Sequence, residues 1–202
     1  YLLSYLAHYR VPGIVQIPSH FFTPFSVLSL LFGVTHMTTT PRLLITGSRT
    51  HQWTPYDSHA LLIAVQEIVE KTQKNPTLVH GGATGADTEA ALNGQRLFGL
   101  QTEMHRADWK KYGRAAGPIR NKQMVELGAD LCLAFPDHPK GQGSRGTWNC
   151  VDLAQQAGIP VFVVWNQRLW TYNPDHPTHG THRVLDPYIP SYTNKEDSYH
   201  HG

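Results

Sequence analysis

Cysteine is nearly missing from this 202-residue sequence: Cys132 and Cys150 are its two, and they match neither a metal nor a redox spacing. That scarcity excludes a disulfide framework or a thiolate metal centre. It suits a reducing cytoplasm, with both thiols expected to be buried. An excess of either charge is missing too. Seventeen Lys and Arg stand against fifteen Asp and Glu, a formal net charge of +2. Such a balance offers no broad basic face for gripping nucleic acid by counterion release, so nucleic acid is disfavoured as a partner and any anion must be held locally. A membrane-spanning run is also wanting. The apolar stretch from Phe21 to Val34 is interrupted by Pro24 and falls short of the roughly twenty residues that cross a bilayer. Residues 1–36 hold no acidic residue and one arginine, Arg10, and no methionine precedes Met37. They are expected to be an extension upstream of the domain that need not be native to it, with an interfacial or partner-binding arm as the alternative.

What is present, from Arg42 onward, is alternation. "RLLITGS" is a short apolar run ending at a glycine, as a buried parallel strand does. "SHALLIAVQEIVEKTQK" carries Leu61, Leu62, Val65, Ile68 and Val69 at helical spacing and closes on lysines. "TLVHGG" then reads as strand, "DTEAALNGQRLFG" as helix, and the more polar "QTEMHRA" as an edge strand. "RNKQMVELG" follows as helix, "ADLCLAFP" as strand, "GTWNCVDLAQQAG" as helix and "IPVFVVW" as the last strand. Strands alternating with helices predict an α/β fold, a Rossmann-like open sheet of about five parallel strands with helices on both faces. The domain is expected over 37–165, with 166–202 as a C-terminal arm or tail. His176, His179 and His182 recur every third residue there, but prolines and a glycine deny them a helix face for a metal.

In such sheets a ligand sits beyond the carboxyl ends of the strands, and three strand ends carry small residues with donors. Gly47, Ser48 and Arg49 follow the first strand. Gly81, Gly82, Ala83, Thr84, Gly85 and Asp87 follow the second. Gly143, Ser144, Arg145, Gly146 and Thr147 follow the fourth. Glycines let backbone amides approach an anion, arginines fork onto phosphate oxygens, and a helix N-terminus attracts negative charge. The expectation is a phosphate and ribose cradle. Thr84-Gly-Ala-Asp87 equally fits a capping box that merely starts a helix. "GGATGAD" lacks the Gly-Lys-Ser/Thr of a P-loop and is not spaced as G-x-G-x-x-G, which disfavours that kind of ATP hydrolysis and a routine NAD-linked dehydrogenase. Arg120 and Asn121 follow Gly117-Pro118 and are expected to open a helix, where a cation is poorly placed unless a ligand faces it. A solvated surface arginine is the alternative. Trp109 and Tyr112 could stack on a base or simply cover the sheet edge, and His80 at a strand end is a packed histidine or a base.

"LLITGSR", "VHGGATGAD", "ADW", "GRAAGPIRNKQM", "ADLCLAFP" and "SRGTWNCVDLAQQAGIPV", in order across residues 41–165, resemble the YspA-like branch of the SLOG superfamily. That Rossmann-like group includes the Lonely Guy phosphoribohydrolases and the Smf/DprA proteins. The resemblance implies a nucleotide or nucleotide-derived, ADP-ribose-like ligand held at the glycine turns, and pairing into a homodimer. In the phosphoribohydrolases an arginine and a glutamate cleave the bond between base and ribose. Arg120 matches the arginine, but Cys150 stands where the glutamate would be. Asp152 is turned away along its helix, so Asp87 is the carboxylate that could act with Arg120 as a catalytic pair. The departure favours a binder, a sensor or sequestering module without a resident cofactor. An N-glycosidic hydrolase is the second expectation and a DNA-processing protein the third.

Overall fold

The computed structural model describes residues 40–172 and 182–183. The expectations for residues 1–36, for His176 and His179, and for the end of the tail lie outside the described residues. Five parallel strands form the centre of one sheet: β1 (Arg42–Gly47), β2 (Thr77–His80), β3 (Thr102–Met104), β4 (Leu131–Phe135) and β5 (Val161–Trp165). Their order is β3-β2-β1-β4-β5. The chain reverses direction across the sheet between β1 and β4, and the carboxyl ends of these two strands form the crevice where open α/β sheets take ligands.

Strands β1, β2, β4 and β5 are apolar on both faces because helices cover both, whereas β3 is a polar edge strand. Leu43, Ile45, Leu131, Leu133 and Phe135 pack with Ala60, Leu61, Ala64, Val65 and Ile68 of α1 (Pro55–Thr72) and with Ala86 and Ala90 of α2 (Ala86–Phe98). The alternate residues Leu44, Cys132, Ala134, Val161 and Val163 pack on the other side. They meet Met124 and Val125 of α4 (Ala116–Glu126) and Trp148, Cys150, Val151 and Ala154 of α5 (Arg145–Gln156). Burying each large side chain contributes about 1.5–3 kcal/mol, and the period of two in the strands decides which helix pair it meets. Both cysteines are free and buried, as expected. No helix among the described residues is long and apolar enough to cross a membrane.

Two helix starts differ from the sequence reading. Helix α1 begins three residues early, because Thr54 and Asp57 form a reciprocal capping box and Pro55 occupies the first turn. Helix α4 begins at Ala116, ahead of Arg120, and runs through Gly117-Pro118. Proline is tolerated in a first turn, whose N–H groups have no intrahelical acceptor. A short helix α3 (Trp109–Tyr112) and a 3₁₀ turn (Gly113–Ala115) lead into it. Arg120 therefore sits in the second turn, and the inference from a misplaced charge at a helix start does not apply.

The sheet also continues past residue 165. Asn166 and Gln167 both take positive φ, 49° and 51°, the two-residue turn that matches the twist of a hairpin. Strand β6 (Arg168–Thr171) then returns antiparallel along β5, followed by β7 (His182–Arg183). Part of the segment expected to be tail, His182 included, thus belongs to the sheet.

Candidate functional site

A cavity of about 600 Å³ opens at the carboxyl ends of β1 and β4. Gly47, Ser48 and Arg49 line it from the end of β1, Ala83 and Asp87 from the turn after β2, and Trp109 from α3. Arg114, Gly117, Pro118, Arg120 and Asn121 line it from the approach to α4 and its first turns, and Ser144 to Thr147 with Asn149 from the start of α5. Three separate strand ends thus converge on one crevice. Four arginines face it, and Asp87 is the single acidic lining residue among those described.

The glycine turn after β2 is built around two side chains. Asp87, 4% exposed, accepts through Oδ2 the N–H of Gly81 at 2.9 Å and of Ala83 at 3.4 Å. The N–H of Gly82 goes to Nδ1 of His80 at 3.2 Å. These amides, expected to reach a phosphate, are turned inward. The capping box at Thr84 and Asp87 does not form either. Gly85 is the N-cap of α2 with no side-chain bond, because the Asp87 carboxylate is occupied by the turn. Burial pushes the Asp87 carboxyl upward, against the pull of Arg120 and the backbone donors.

Gly81 answers to Arg120. A β-carbon there would overlap the Arg120 guanidinium, so the glycine seats the arginine against the turn. Nη1 of Arg120 donates to the carbonyl of His105 at 3.3 Å and lies 4.0 Å from Asp87, while Nε donates to Oδ1 of Asn121 at 3.0 Å. His80 is buried, and burial first, then Arg120 and His105, lowers its pKa. A neutral imidazole that accepts from Gly82 and does not line the cavity is a packing histidine. Gly47 is likewise a close-approach residue: a β-carbon would overlap that of Ala86 where β1 meets α2.

The third strand end is held open to the cavity by its own loop. Ser144 adopts a left-handed conformation, φ 46°, uncommon for a residue with a β-carbon. Its Oγ compensates by accepting the N–H of Asp137 at 2.9 Å and of His138 at 3.2 Å. Trp148 is the first donor of an intrahelical bond in α5, to the carbonyl of Ser144 at 3.0 Å. The N–H groups of Arg145, Gly146 and Thr147 therefore have no intrahelical acceptor, and their dipoles add positive potential at the rim. Asn121, 4% exposed, bolts α4 to this turn by donating through Nδ2 to the carbonyl of Gly146 at 3.0 Å. On the outside, Lys140 ties the same loop to Asp152 at 2.5 Å and to the Tyr172 hydroxyl at 3.2 Å, which confirms that Asp152 faces away from the site.

The first strand end is fastened to that loop as well. Thr50 donates to Oδ2 of Asp137 at 2.7 Å and shares a hydrogen bond with Ser48 at 2.9 Å. His51 lies between Oδ1 of Asp137 at 3.0 Å and Oδ2 of Asp57 at 3.3 Å. Burial opposes charge on His51, but the nearby Asp57 carboxylate and then the hydrogen-bonded Asp137 prevail and raise its pKa. Arg49 carries its guanidinium 5.3 Å from the centre of the Trp109 ring, a cation–π contact at the mouth of the cavity.

Of the residues picked out in the sequence, Gly81, Gly82, Thr84, Gly85, Gly143 and Tyr112 do not line this cavity. Gly85 lines a neighbouring hollow that shares Arg49 with it, and Lys111 lies over the Tyr112 ring. The sequence reading missed Arg114 and Asn149. Arg114 stands in the quoted stretch "GRAAGPIRNKQM", and Asn149 is one helical turn beyond Arg145 on the face that Asn121 meets. It also passed over "GQGSRG", residues 141–146, which spells G-x-G-x-x-G between strand β4 and helix α5, the setting that gives that pattern meaning. The cavity wall uses its last glycine, Gly146.

No family model matches the sequence. The chain is similar to the "Gene 61 protein" of Mycobacterium phage D29, 44% identical over 124 residues that take in 59% of this chain and 93% of that protein.

Proposed function

This chain belongs to the family of the mycobacteriophage Gene 61 protein, and we propose that it binds a nucleotide or nucleotide-derived, ADP-ribose-like ligand in the cavity between β1 and β4, as a sensor or sequestering module. The observation that carries the reading is the imbalance of the lining: Arg49, Arg114, Arg120, Arg145 and the start of α5 against one carboxylate. Such a surface favours a compact anion, and its volume of about 600 Å³ is in the range of sites for drug-sized ligands. The Trp109 ring offers a stacking face at the mouth, and Gly146, in the first turn of α5, leaves the helix N-terminus open to an anion.

Binding is favoured over N-glycosidic cleavage by the state of the carboxylates. Cleavage needs a carboxylate free to stabilise a cation-like sugar and to help activate water. Asp87 is engaged by the Gly81 and Ala83 amides and faces Arg120. Cys150, 0% exposed, supplies neither role. The test is incubation of the pure protein with AMP, ADP-ribose and NAD, followed by chromatography for free base. The expected result is ligand retained intact by the protein. Release of adenine or nicotinamide with turnover, abolished by Asp87→Asn, would replace this reading with the hydrolase.

A further inference from the structure

A chain of hydrogen bonds fixes which way an unassigned amide faces. The carbonyl of Gly146 can only accept, so the Asn121 atom at 3.0 Å from it is the Nδ2 amide. The guanidinium Nε of Arg120 can only donate, so the atom it meets at 3.0 Å is Asn121 Oδ1. Both ends of Asn121 are thereby determined independently, which removes the usual ambiguity of an amide's orientation. Nδ2 of Asn121 also donates to Asn149 at 3.1 Å. Asn149 must present Oδ1 to it, and its own NH₂ is left as a pair of donors on a residue that lines the cavity.

Resting on the nucleotide-binding reading above, we infer that Asn149 is a specificity residue: its oriented NH₂ donates to an anionic or ribose oxygen of the bound ligand. Asn121 sets that orientation from a position 4% exposed, held on one side by Arg120 and on the other by the first turn of α5. Asn149 lies on the same helix as Arg145 and Thr147, whose backbone N–H groups have no intrahelical acceptor, so that wall offers donors in succession. A ligand oxygen that carries only lone pairs satisfies them, and a ligand donor at that point would leave them unpaired. This is how a site rejects the wrong ligand by a large factor.

Two substitutions test the inference by isothermal calorimetry with ADP-ribose and with AMP as probes. Asn149→Asp keeps the acceptor that Asn121 needs but turns the ligand-facing donor into an anionic acceptor. Asn149→Ala removes the donor without adding charge. Wild type is expected to bind at least one probe, Asn149→Ala about 5- to 50-fold more weakly, and Asn149→Asp more weakly still, while the melting temperature of ligand-free Asn149→Asp stays near that of wild type. Binding by Asn149→Ala within twofold of wild type would overturn the role of Asn149 and leave the nucleotide reading standing. Failure of wild type to bind either probe would instead overturn that reading, and the assignment of Asn149 with it.

Discussion

The Arg120 guanidinium occupies the place where a β-carbon of residue 81 would stand. Gly81 in turn donates its N–H to Asp87, the carboxylate nearest that guanidinium. The glycine turn after β2 is therefore a mount for an arginine. In the proposed binding it acts through the charge it positions, since its own Gly81, Gly82 and Ala83 amides are engaged within the turn.

Gly81→Ala should show this directly. The added methyl must displace a partly buried guanidinium, its side chain 13% exposed, and disturb a carboxylate bonded to the same turn. Overpacking of this kind costs about 1–3 kcal/mol. Urea denaturation should report that loss, together with weakened ligand binding. A variant as stable as wild type, binding equally well, would mean that Arg120 has room to move and that the turn is not its mount.

The pH response of the site should run through His51. Its pKa is raised above 6.5 in the folded protein, since Asp57 and Asp137 together outweigh the effect of burial. A raised pKa means the folded state holds the proton more tightly. The stabilisation is complete below pH 6.5 and is lost as pH rises through the folded value. Between that unfolded reference and the folded midpoint, wild type should lose stability with rising pH more steeply than His51→Gln. Proton NMR of the imidazole should give a midpoint above 6.5, and a midpoint below it would contradict the two-carboxylate arrangement.

The hairpin beyond β5 should be integral to the domain. Tyr172 is 8% exposed, its ring centre lies 6.0 Å from that of Trp148, and its hydroxyl receives Lys140 from the loop that leads to Ser144. Truncating it opens a cavity beneath α5, so Tyr172→Ala should cost about 3 kcal/mol in thermal or denaturant unfolding. A cost under about 0.5 kcal/mol, the size expected of an ordinary surface position, would place Tyr172 outside the core.

The central strands were legible because helices cover both faces, so each reads as an unbroken apolar run. Strand β6 was not, because Arg168 and Thr171 are exposed and only Leu169 is fully buried, and its turn uses Asn-Gln without a glycine. Two copies of one capping pattern had opposite outcomes. Thr54 and Asp57 cap α1, whereas the same spacing at Thr84 and Asp87 does not cap α2, because the Asp87 carboxylate is engaged by Gly81 and Ala83. No local pattern distinguishes the two, since the competitor for Asp87 is a neighbouring turn. Of the cavity wall, the glycine-and-arginine strand ends were legible. Asn149 was not, because its significance lies in an orientation that Asn121 imposes from another helix.

The most direct test of the central claim is the melting temperature of the wild-type chain with AMP, ADP and ADP-ribose, beside that of Arg49→Ala and Arg120→Ala. A ligand that binds only the folded state at a hundred times its dissociation constant adds about 2.7 kcal/mol, or about 5–10 °C for a domain of this size. The account predicts such a rise with at least one of the three nucleotides, and its reduction in each arginine variant measured against its own ligand-free melt. No rise with any of the three in a folded wild-type protein, or a rise that both arginine variants retain in full, would contradict it.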